Sequence, residues 1–386
     1  MRKKYLISGL GVSEGGVGRL MRNLVQQAET DGFTSVVRRT SQPIGRMLKQ
    51  KQYSSAVLEV FLRLLDPVRF FLRVQFIRDS TVVFVHPQTA GFSRFLKVVD
   101  KNNVYLYVMD NSFFCIRSYN LHPELEIECF RCLSGPQQVL PACQPFPIAI
   151  KKQDNLEYLN RFAEASSKIT FLAQNVGQAE LIKSRFGEQT RVRVVGLDTG
   201  ELEDITLDKQ SSQIDLTCSY DLVFHGAPQL AKGVRYFVEL AEMLDEFTAF
   251  IPSSKTQCEQ VLQRPITADN ITFKECSWET GLKDAVLTCG LVVNPSLWSA
   301  PIEGALQKSI YYAGCVATVE SLYGYEREYI NSQSVIRLPR DVRAASDVIR
   351  KKFPGAIFPS VKHKLPKQIT VEEKINIFKL VINSEN

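Results

Sequence analysis

Apolar runs separated by stretches of helical periodicity recur along the first half of the chain. Short apolar runs, typical of buried parallel strands, stand at residues 5–8, 35–38, 81–85, 104–108, 169–172 and 192–195. After the first run, Leu20, Leu24 and Ala28 recur at helical spacing, and Asp31 with Gly32 ends that helix. Strands that alternate with helices indicate a doubly wound parallel sheet.

The second half repeats this alternation. Strands are predicted at residues 222–224, 249–251, 271–273, 291–293 and 316–319, and helices at 234–244, 257–262, 301–312 and 371–382. The intervening residues 200–219 are polar and acidic, which is typical of a linker. We therefore expect an α/β protein with two similar Rossmann-like domains, residues 1–199 and 220–369, facing a central cleft.

Length and charge narrow the classes of protein to which this chain can belong. A chain of 386 residues is too long for one ordinary core. Residues 1–100 hold sixteen Lys or Arg and seven Asp or Glu, a net +9, which leaves −3 for the remainder. That imbalance suits an anionic partner such as a membrane surface, a lipid diphosphate or nucleic acid. We expect no nucleic-acid partner, because no zinc finger, aromatic RNA-binding signature or basic helix accompanies the charge.

The chain lacks the sequence signs of export or membrane spanning. No eighteen-residue apolar window occurs, and the apolar stretch after Met1 to Lys4 is too short for a signal peptide. We therefore expect a cytoplasmic protein.

Residues 57–78 combine apolar and aromatic side chains with Arg69, Arg73 and Arg78. The mixture suits a helix that lies in a membrane interface and faces a lipid-linked acceptor. A pair of buried helices packed on the sheet is the alternative, and Pro67 is expected to break or restart the helix.

Residues 294–309 follow an apolar run and open a predicted helix. A strand end, a turn and a helix start form a binding edge in α/β proteins, and the first helix amides favour phosphate. Glu303 can hold sugar hydroxyls and Lys308 can hold a diphosphate. The alternative is an ordinary loop and helix with two exposed charges.

A glycine-rich loop, residues 9–18, follows the first strand. A dinucleotide fingerprint fails because Glu14 stands where a glycine is needed, and a Walker A loop fails because Val17 follows Gly16. What remains is either a tight turn or a flexible loop that lets an anionic ligand approach the backbone, with Arg19 in the first helical turn.

The ordered motifs together resemble a GT-B glycosyltransferase of the large family 4 type, which is retaining and uses nucleotide-sugar donors. Its Gly-Gly-Val-Gly-Arg loop is matched by residues 15–19, and its two strand ends by His86-Pro87 and Met109-Asp110. Its second-domain opening is matched by residues 224–233, with the family spacing from Gly226 to Lys232, and its Pro-Ser-Leu-Trp motif by residues 295–314. The resemblance implies that the C-terminal helix, residues 370–386, packs back on the N-terminal domain.

The chain also departs from the family pattern. Ala227 stands where the diphosphate-binding Arg is expected, and Met109 where the His of a His-Asp pair is expected. Ala300 and Lys308 stand near the positions of two glutamates, and Glu303 is displaced by three positions.

The resemblance implies transfer of a sugar from a nucleoside-diphosphate sugar to a glycan or lipid-linked acceptor, with retention and without a required metal or other cofactor. It suggests work in polysaccharide biosynthesis at the inner membrane face. The predicted catalytic residues are Asp110, His86 and Glu303. The predicted donor-binding residues are Gly15, Gly16, Arg19, Gly226, Lys232, Gly233, Ser296, Glu303, Gly304, Ala305 and Lys308. The alternative is a non-catalytic GT-B protein that binds a nucleotide, a glycan or a partner subunit; a nucleotide-sugar epimerase on the same fold is a third reading.

Four of the nine cysteines lie close together in sequence. Cys115, Cys129, Cys132 and Cys143 include one Cys-x-x-Cys pair and could hold a structural zinc ion, although reduced thiols are the default without an export signal.

Overall fold

Each half of the chain folds around a parallel six-stranded sheet. The computed structural model describes residues 2–13, 16–40, 44–197, 220–329, 335–354 and 375–384. The chain divides into unit 1 (Met1–Ser118, Arg131–Glu201 and Lys374–Asn386) and unit 2 (Tyr119–Phe130 and Leu202–Glu373). The predicted linker, residues 200–219, lies outside the described residues.

The sheet of unit 1 confirms the six strands predicted for the first half, to within one residue at each end. Its strands are β1 (Lys4–Ser8), β2 (Thr34–Val37), β3 (Thr81–Val85), β4 (Asn103–Tyr107), β5 (Ile169–Ala173) and β6 (Val192–Val194). They pair in the order β2-β1-β3-β4-β5-β6. Every residue of β3 and β5 is buried, as the continuous apolar runs predict for strands covered on both faces.

Seven helices of the first half cover this sheet in the described part of the chain. They are α1 (Gly16–Thr30), α2 (Ile44–Lys49), α3 (Tyr53–Gln75), α4 (Pro87–Ala90), α5 (Phe92–Lys101), α6 (Lys152–Ala165) and α7 (Val176–Phe186). Leu20, Leu24 and Ala28 of α1 are buried, as their spacing predicts. The Asn175 side chain caps α7 by accepting a hydrogen bond from the Gln178 amide at 2.7 Å.

Unit 2 has the strand order of a dinucleotide-binding fold. Its strands are β7 (Leu222–Phe224), β8 (Ala249–Ile251), β9 (Ile271–Phe273), β10 (Leu291–Asn294), β11 (Val316–Val319) and β12 (Val335–Leu338), paired in the order β12-β11-β10-β7-β8-β9. The helices are α8 (Val234–Met243), α9 (Lys255–Leu262), α10 (Leu282–Thr288), α11 (Gly304–Tyr312) and α12 (Val342–Lys352). The sequence analysis predicted none of β12, α10 and α12.

Helix α11 begins three residues later than predicted. The backbone at Glu303 is extended, with φ −103° and ψ 118°, so the helix starts at Gly304 rather than at Pro301. The Glu303 carboxylate accepts a hydrogen bond from Ser296 at 2.7 Å, which holds this residue away from the helical turn.

The C-terminal helix α13 (Ile377–Asn383) belongs to unit 1, as expected. Phe378 is fully buried and meets Phe33 edge to face, with ring centroids 4.9 Å apart. The Asn376 side chain caps the helix by accepting from the Phe378 and Lys379 amides, and it donates to Asp31 at 2.8 Å. Residues 370–374 and 385–386 of the predicted segment lie outside the described residues.

Residues 119–130, which we call the inserted segment, belong to unit 2 although unit 1 precedes and follows them. Leu121 lies in the unit 2 core and forms an antiparallel bridge with Glu128. The Glu128 side chain is 5 % exposed, pairs with Arg340 at 2.5 Å and accepts a hydrogen bond from Ser299 at 2.6 Å. Asn120 bonds both the amide and the hydroxyl of Ser299, each at 3.0 Å.

The expected break at Pro67 is wrong, because α3 is one helix of 23 residues that runs through Pro67. Many of its apolar side chains are exposed, so the alternative of a buried helix pair finds no support here. No described helix has both the length and the apolar character needed to cross a membrane.

We expect Glu128→Ala to destabilise unit 2 by about 2–3 kcal/mol, because it strips Arg340 and Ser299 of a shared acceptor. This loss of stability is at or below the lower end of what breaking a fully buried ion pair costs, because the Arg340 side chain is still 26 % exposed. Urea denaturation measures the change, and Glu124→Ala, at an exposed position of the same inserted segment, is the control. Equal urea midpoints for the two variants would contradict a stabilising role of the Glu128 contacts.

Candidate functional site

The strand order of unit 2 creates one edge at which ligands of α/β proteins bind. The order reverses between β7 and β10, which are hydrogen-bonded neighbours. The segments that leave their carboxyl ends therefore diverge from a common point and leave a crevice. Residues 225–233 follow β7 and residues 295–303 follow β10, so two of the predicted motifs meet here.

Three predicted donor-binding residues come together at this edge. The Lys232 ammonium forms a short ion pair with Oε1 of Glu303, and Oε2 of Glu303 accepts from the Ser296 hydroxyl at 2.7 Å. The Lys232 and Glu303 side chains are 20 % and 9 % exposed. A mostly buried carboxylate thus has both oxygens occupied, one by a cation and one by a hydroxyl.

Gly233 is required by the close approach of the two segments. Its φ is +74°, and a Cβ added there would stand 1.8 Å from the carbonyl oxygen of Pro295. Only glycine fits both the left-handed backbone and the available space. Lys232 is the last residue of the short 3-10 helix that precedes Gly233, so this contact fixes where its side chain starts.

Two aromatic rings also lie close to the Lys232 ammonium. It lies 5.2 Å from the ring centroid of Tyr119 and 5.0 Å from that of Trp298. The two rings are themselves in contact, with centroids 4.3 Å apart. Tyr119 belongs to the inserted segment, so a residue far away in sequence helps to position the predicted diphosphate ligand.

His225 is a buried neutral imidazole at the end of β7. The Ser309 hydroxyl donates to the Ala305 carbonyl oxygen at 2.9 Å, so it accepts from Nδ1 of His225, which lies 2.8 Å away. Nδ1 therefore carries the proton and Nε2 is an acceptor. Burial lowers the pKa of His225 to about 3, with a further contribution from the Lys308 charge.

Lys308 lies beside an aromatic ring that the sequence analysis did not single out. Its ammonium is 4.8 Å from the ring centroid of Trp278, which stacks on His225 with centroids 5.3 Å apart and an interplanar angle of 13°. Trp278 follows β9 within the short 3-10 helix Trp278–Thr280. Lys308 and His225 are thus connected through one indole.

The other predicted donor residues of unit 2 lie around the same edge. Gly304 and Ala305 form the first turn of α11, and a Cβ at Gly304 would find no atom within 4 Å. Gly226 is partly exposed, and a Cβ there would stand 3.0 Å from the Phe224 ring. Ala227, which replaces the expected Arg, is exposed and supplies no cation.

The predicted His86 and Asp110 meet in unit 1. They follow the neighbouring strands β3 and β4, and Nε2 of His86 lies 3.8 Å from Oδ2 of Asp110. Nδ1 of His86 lies 2.9 Å from the Thr89 hydroxyl, and Asp110 accepts from the Ser112 amide at 2.9 Å. Burial lowers the pKa of His86, and the Asp110 charge opposes that shift. The pair can orient a hydroxyl group.

The glycine loop is only partly described. Gly15 lies outside the described residues, Gly16 is the first residue of α1, and Arg19 is partly exposed in its first turn. Gly9, at the loop start, approaches α4 closely, because an added Cβ would stand 2.1 Å from the Ala90 amide nitrogen. Close packing against α4 therefore explains Gly9, whereas both the tight-turn and the ligand readings of the glycine loop stay predictions.

The four clustered cysteines do not form a recognisable metal centre. Cys115, Cys132 and Cys143 are buried in unit 1, whereas Cys129 belongs to the inserted segment of unit 2. Within the described ranges, which include all four, no group of three or more His, Cys, Asp or Glu side chains could hold a metal ion.

The pattern along the sequence gave no sign of several residues at this edge. Tyr119, Asn120 and Glu128 reach it from more than 100 residues away, as in the contact of Tyr119 with Lys232 and the Asn120–Ser299 hydrogen bond. His225 directly follows a predicted strand and could have been found as a polar residue at a strand end, whereas Trp278 is separated from β9 by residues 274–277. No local signal marks the inserted segment, because its contacts depend on the tertiary fold.

We expect the stability of the wild type to fall faster than that of His225→Asn as the pH drops from about 6.5 towards about 3. The folded-state pKa of His225 is depressed, so its neutral form stabilises the fold above the unfolded pKa and this contribution is lost on acidification. The extra slope is up to about 1.4 kcal/mol per pH unit. Urea unfolding of both proteins at several pH values measures it, and parallel curves would contradict a buried neutral imidazole.

Comparisons with known proteins find matches only among solved structures. No family model matches the chain. No curated protein matches it either. A sucrose-phosphate synthase from Thermosynechococcus elongatus aligns with 99% of this chain and 94% of its own at 10% identity, with a TM-score of 0.55. Anabaena HepE, solved in complex with UDP, aligns with 90% of this chain and 89% of its own at 12% identity, with a TM-score of 0.53.

A chain of the GtfA/B complex also matches, at 15% identity and a TM-score of 0.45. The alignment takes 74% of this chain and spans only 53% of that one. At such identities similarity speaks for the fold alone. The two parallel sheets and the nearly full-length alignment with sucrose-phosphate synthase identify the fold as GT-B, as the resemblance implied.

Proposed function

We propose that this protein is a glycosyltransferase that moves a sugar from a nucleoside-diphosphate sugar to a glycan or lipid-linked acceptor. The observation that carries the proposal is the meeting of Lys232, Glu303 and Ser296 at the β7–β10 edge. The position supports it, since this edge is the switch point at which α/β sheets bind ligands. The UDP bound by Anabaena HepE supports a nucleotide as the common part of the donor.

The charges at this edge suit a departing nucleoside diphosphate. When the bond from the sugar C1 to the diphosphate oxygen breaks, negative charge develops on that oxygen. Lys232, Lys308 and the first amides of α11 provide positive potential there without requiring a metal ion. Binding of the diphosphate would compete with Glu303 for Lys232 and free that carboxylate to hold ribose or sugar hydroxyls.

Retention implies that the acceptor oxygen bonds to C1 on the face from which the diphosphate leaves. The proton of the acceptor hydroxyl then passes to the departing diphosphate oxygen. His86 and Asp110 are the residues proposed to orient the acceptor hydroxyl or the donor sugar, because both side chains are buried and mutually close. We further propose a cytoplasmic protein of polysaccharide biosynthesis, positioned at the inner membrane face when its acceptor is lipid-linked.

A non-catalytic GT-B protein is the second candidate. Ala227 in place of the expected Arg favours it, because the edge then has one cation fewer for the diphosphate. The two candidates share nucleotide binding and differ in turnover.

We expect Glu303→Ala, Lys232→Ala and Lys308→Ala each to weaken UDP or GDP binding about tenfold to a hundredfold, the effect of losing a charge-assisted contact. Isothermal titration calorimetry measures the affinities. Glu242→Ala, which breaks the Arg264 ion pair elsewhere in unit 2, and Lys255→Ala, at an exposed position, are matched controls and should bind like the wild type.

Unchanged affinity in both Glu303→Ala and Lys308→Ala would remove these residues from the donor site. Turnover is assayed as release of UDP or GDP from a panel of nucleotide sugars with acceptor present. Nucleotide binding without release in any combination would favour the non-catalytic protein, and donor conversion without acceptor would favour an epimerase.

A further inference from the structure

Helix α3 has its hydrophobic side turned away from the protein. Six apolar side chains, 45–70 % exposed, form what we call the outward stripe: Val57, Phe61, Leu64, Leu65, Val68 and Leu72. At 100° per residue they share one side of the helix. The opposite side holds the buried Ala56, Phe70 and Val74, which pack towards α2, α5 and β2.

The acidic residues of α3 are directed inward. Glu59 is 2 % exposed and pairs with Arg39 at 2.7 Å and with Arg63 at 3.3 Å. Asp66 pairs with Arg38 at 2.8 Å and accepts the Arg39 amide at 2.9 Å. These are the only two carboxylates in α3, all of whose residues are described. The contacts with Arg38 and Arg39 therefore fix the rotation of the helix about its axis and leave the outward stripe exposed to water.

The exposed cations lie beside the stripe and at both of its ends. Arg69 flanks it on one side, Arg78 follows the helix, and Lys49 and Lys51 precede it. Arg73 lies further round the helix, where it donates to the Ser35 carbonyl oxygen at 3.4 Å. Asp79, next to Arg78, is the exposed carboxylate at that end. A surface of large apolar side chains bordered by Arg and Lys has the composition of an interfacial helix.

We propose that the outward stripe docks on an anionic lipid bilayer, with α3 lying in the plane of the interface. The helix is about 35 Å long, so its apolar side chains would enter the boundary of headgroups and acyl chains together. Arg69 then meets lipid phosphates, and Arg73 and Arg78 add to the positive potential. This proposal names the surface of the protein, and the charge of the lipid, that would account for the membrane location proposed above. It does not depend on the donor site.

Charge disfavours a second copy of this chain as the occupant. Two outward stripes packed in either direction would bring cations at Lys49 and Lys51 or at Arg73 and Arg78 against cations of the other copy. An anionic surface meets the same groups with opposite charge.

The test is flotation of the full chain with phosphatidylcholine vesicles, with and without phosphatidylglycerol. We expect the wild type to float with the anionic vesicles and much less with the neutral ones. The double variant Phe61→Glu with Leu64→Glu should bind the anionic vesicles more than tenfold more weakly, because both exposed side chains lose their apolar contact. Arg69→Glu with Arg73→Glu should show a similar loss that grows as the salt concentration falls.

Val176→Glu is the matched control, since Val176 is 54 % exposed in the same unit but lies on α7. It should float like the wild type, and all variants should keep the wild-type circular dichroism spectrum. Failure of the wild type to float with anionic vesicles overturns the proposal. A dimer in solution that Phe61→Glu with Leu64→Glu converts to monomer, without flotation, overturns it in favour of a second copy.

UDP binding measured without vesicles separates this proposal from the function proposed above. Loss of flotation with unchanged UDP affinity removes the membrane surface alone, and flotation by a protein that binds no nucleotide removes the donor site alone.

Discussion

The ion pair between Lys232 and Glu303 is the contact on which the candidate site depends. It joins the segment after β7 to the segment after β10, the two strands between which the order of the sheet reverses. Because Gly233 lets the backbone approach Pro295, the lysine starts close enough to reach the glutamate. The other oxygen of the same carboxylate accepts from Ser296, next to the extended backbone that precedes α11. The two contacts of Glu303 thus connect the Lys232 charge to the segment from which the helix amides start.

The inserted segment adds a second layer to this edge. Tyr119 and Trp298 hold the Lys232 ammonium, while Asn120 and Glu128 hold Ser299, the residue after Trp298. The inserted segment, which lies between two parts of unit 1 in the sequence, therefore helps to fix the loop that carries Ser296. This arrangement explains how a basic residue can be positioned firmly in a site that has Ala227 where the family pattern has a cation.

In helix α3 the usual distribution of apolar and acidic side chains is reversed. In the core, apolar side chains face inward and charges face water. In α3, Glu59 and Asp66 face inward because Arg38 and Arg39 neutralise them, and the apolar side chains are left outside. The cost of burying two carboxylates is offset by paired hydrogen bonds, as burial of charge requires. A helix held in this way packs on the protein through one side and leaves large apolar side chains of the other side in water.

The sequence by itself determined the α/β alternation, most strands and the motifs near His86, Asp110, Lys232 and Glu303. Continuous apolar runs and local turn residues encode these features, and both act over a few positions. Only the tertiary structure decided that Lys232 pairs with Glu303, that the inserted segment joins unit 2, and that the apolar side of α3 faces outward. Each of these features depends on partners that are distant in sequence. Apolar periodicity shows that a helix has an apolar side and a polar side, but it does not show which side the rest of the fold will cover.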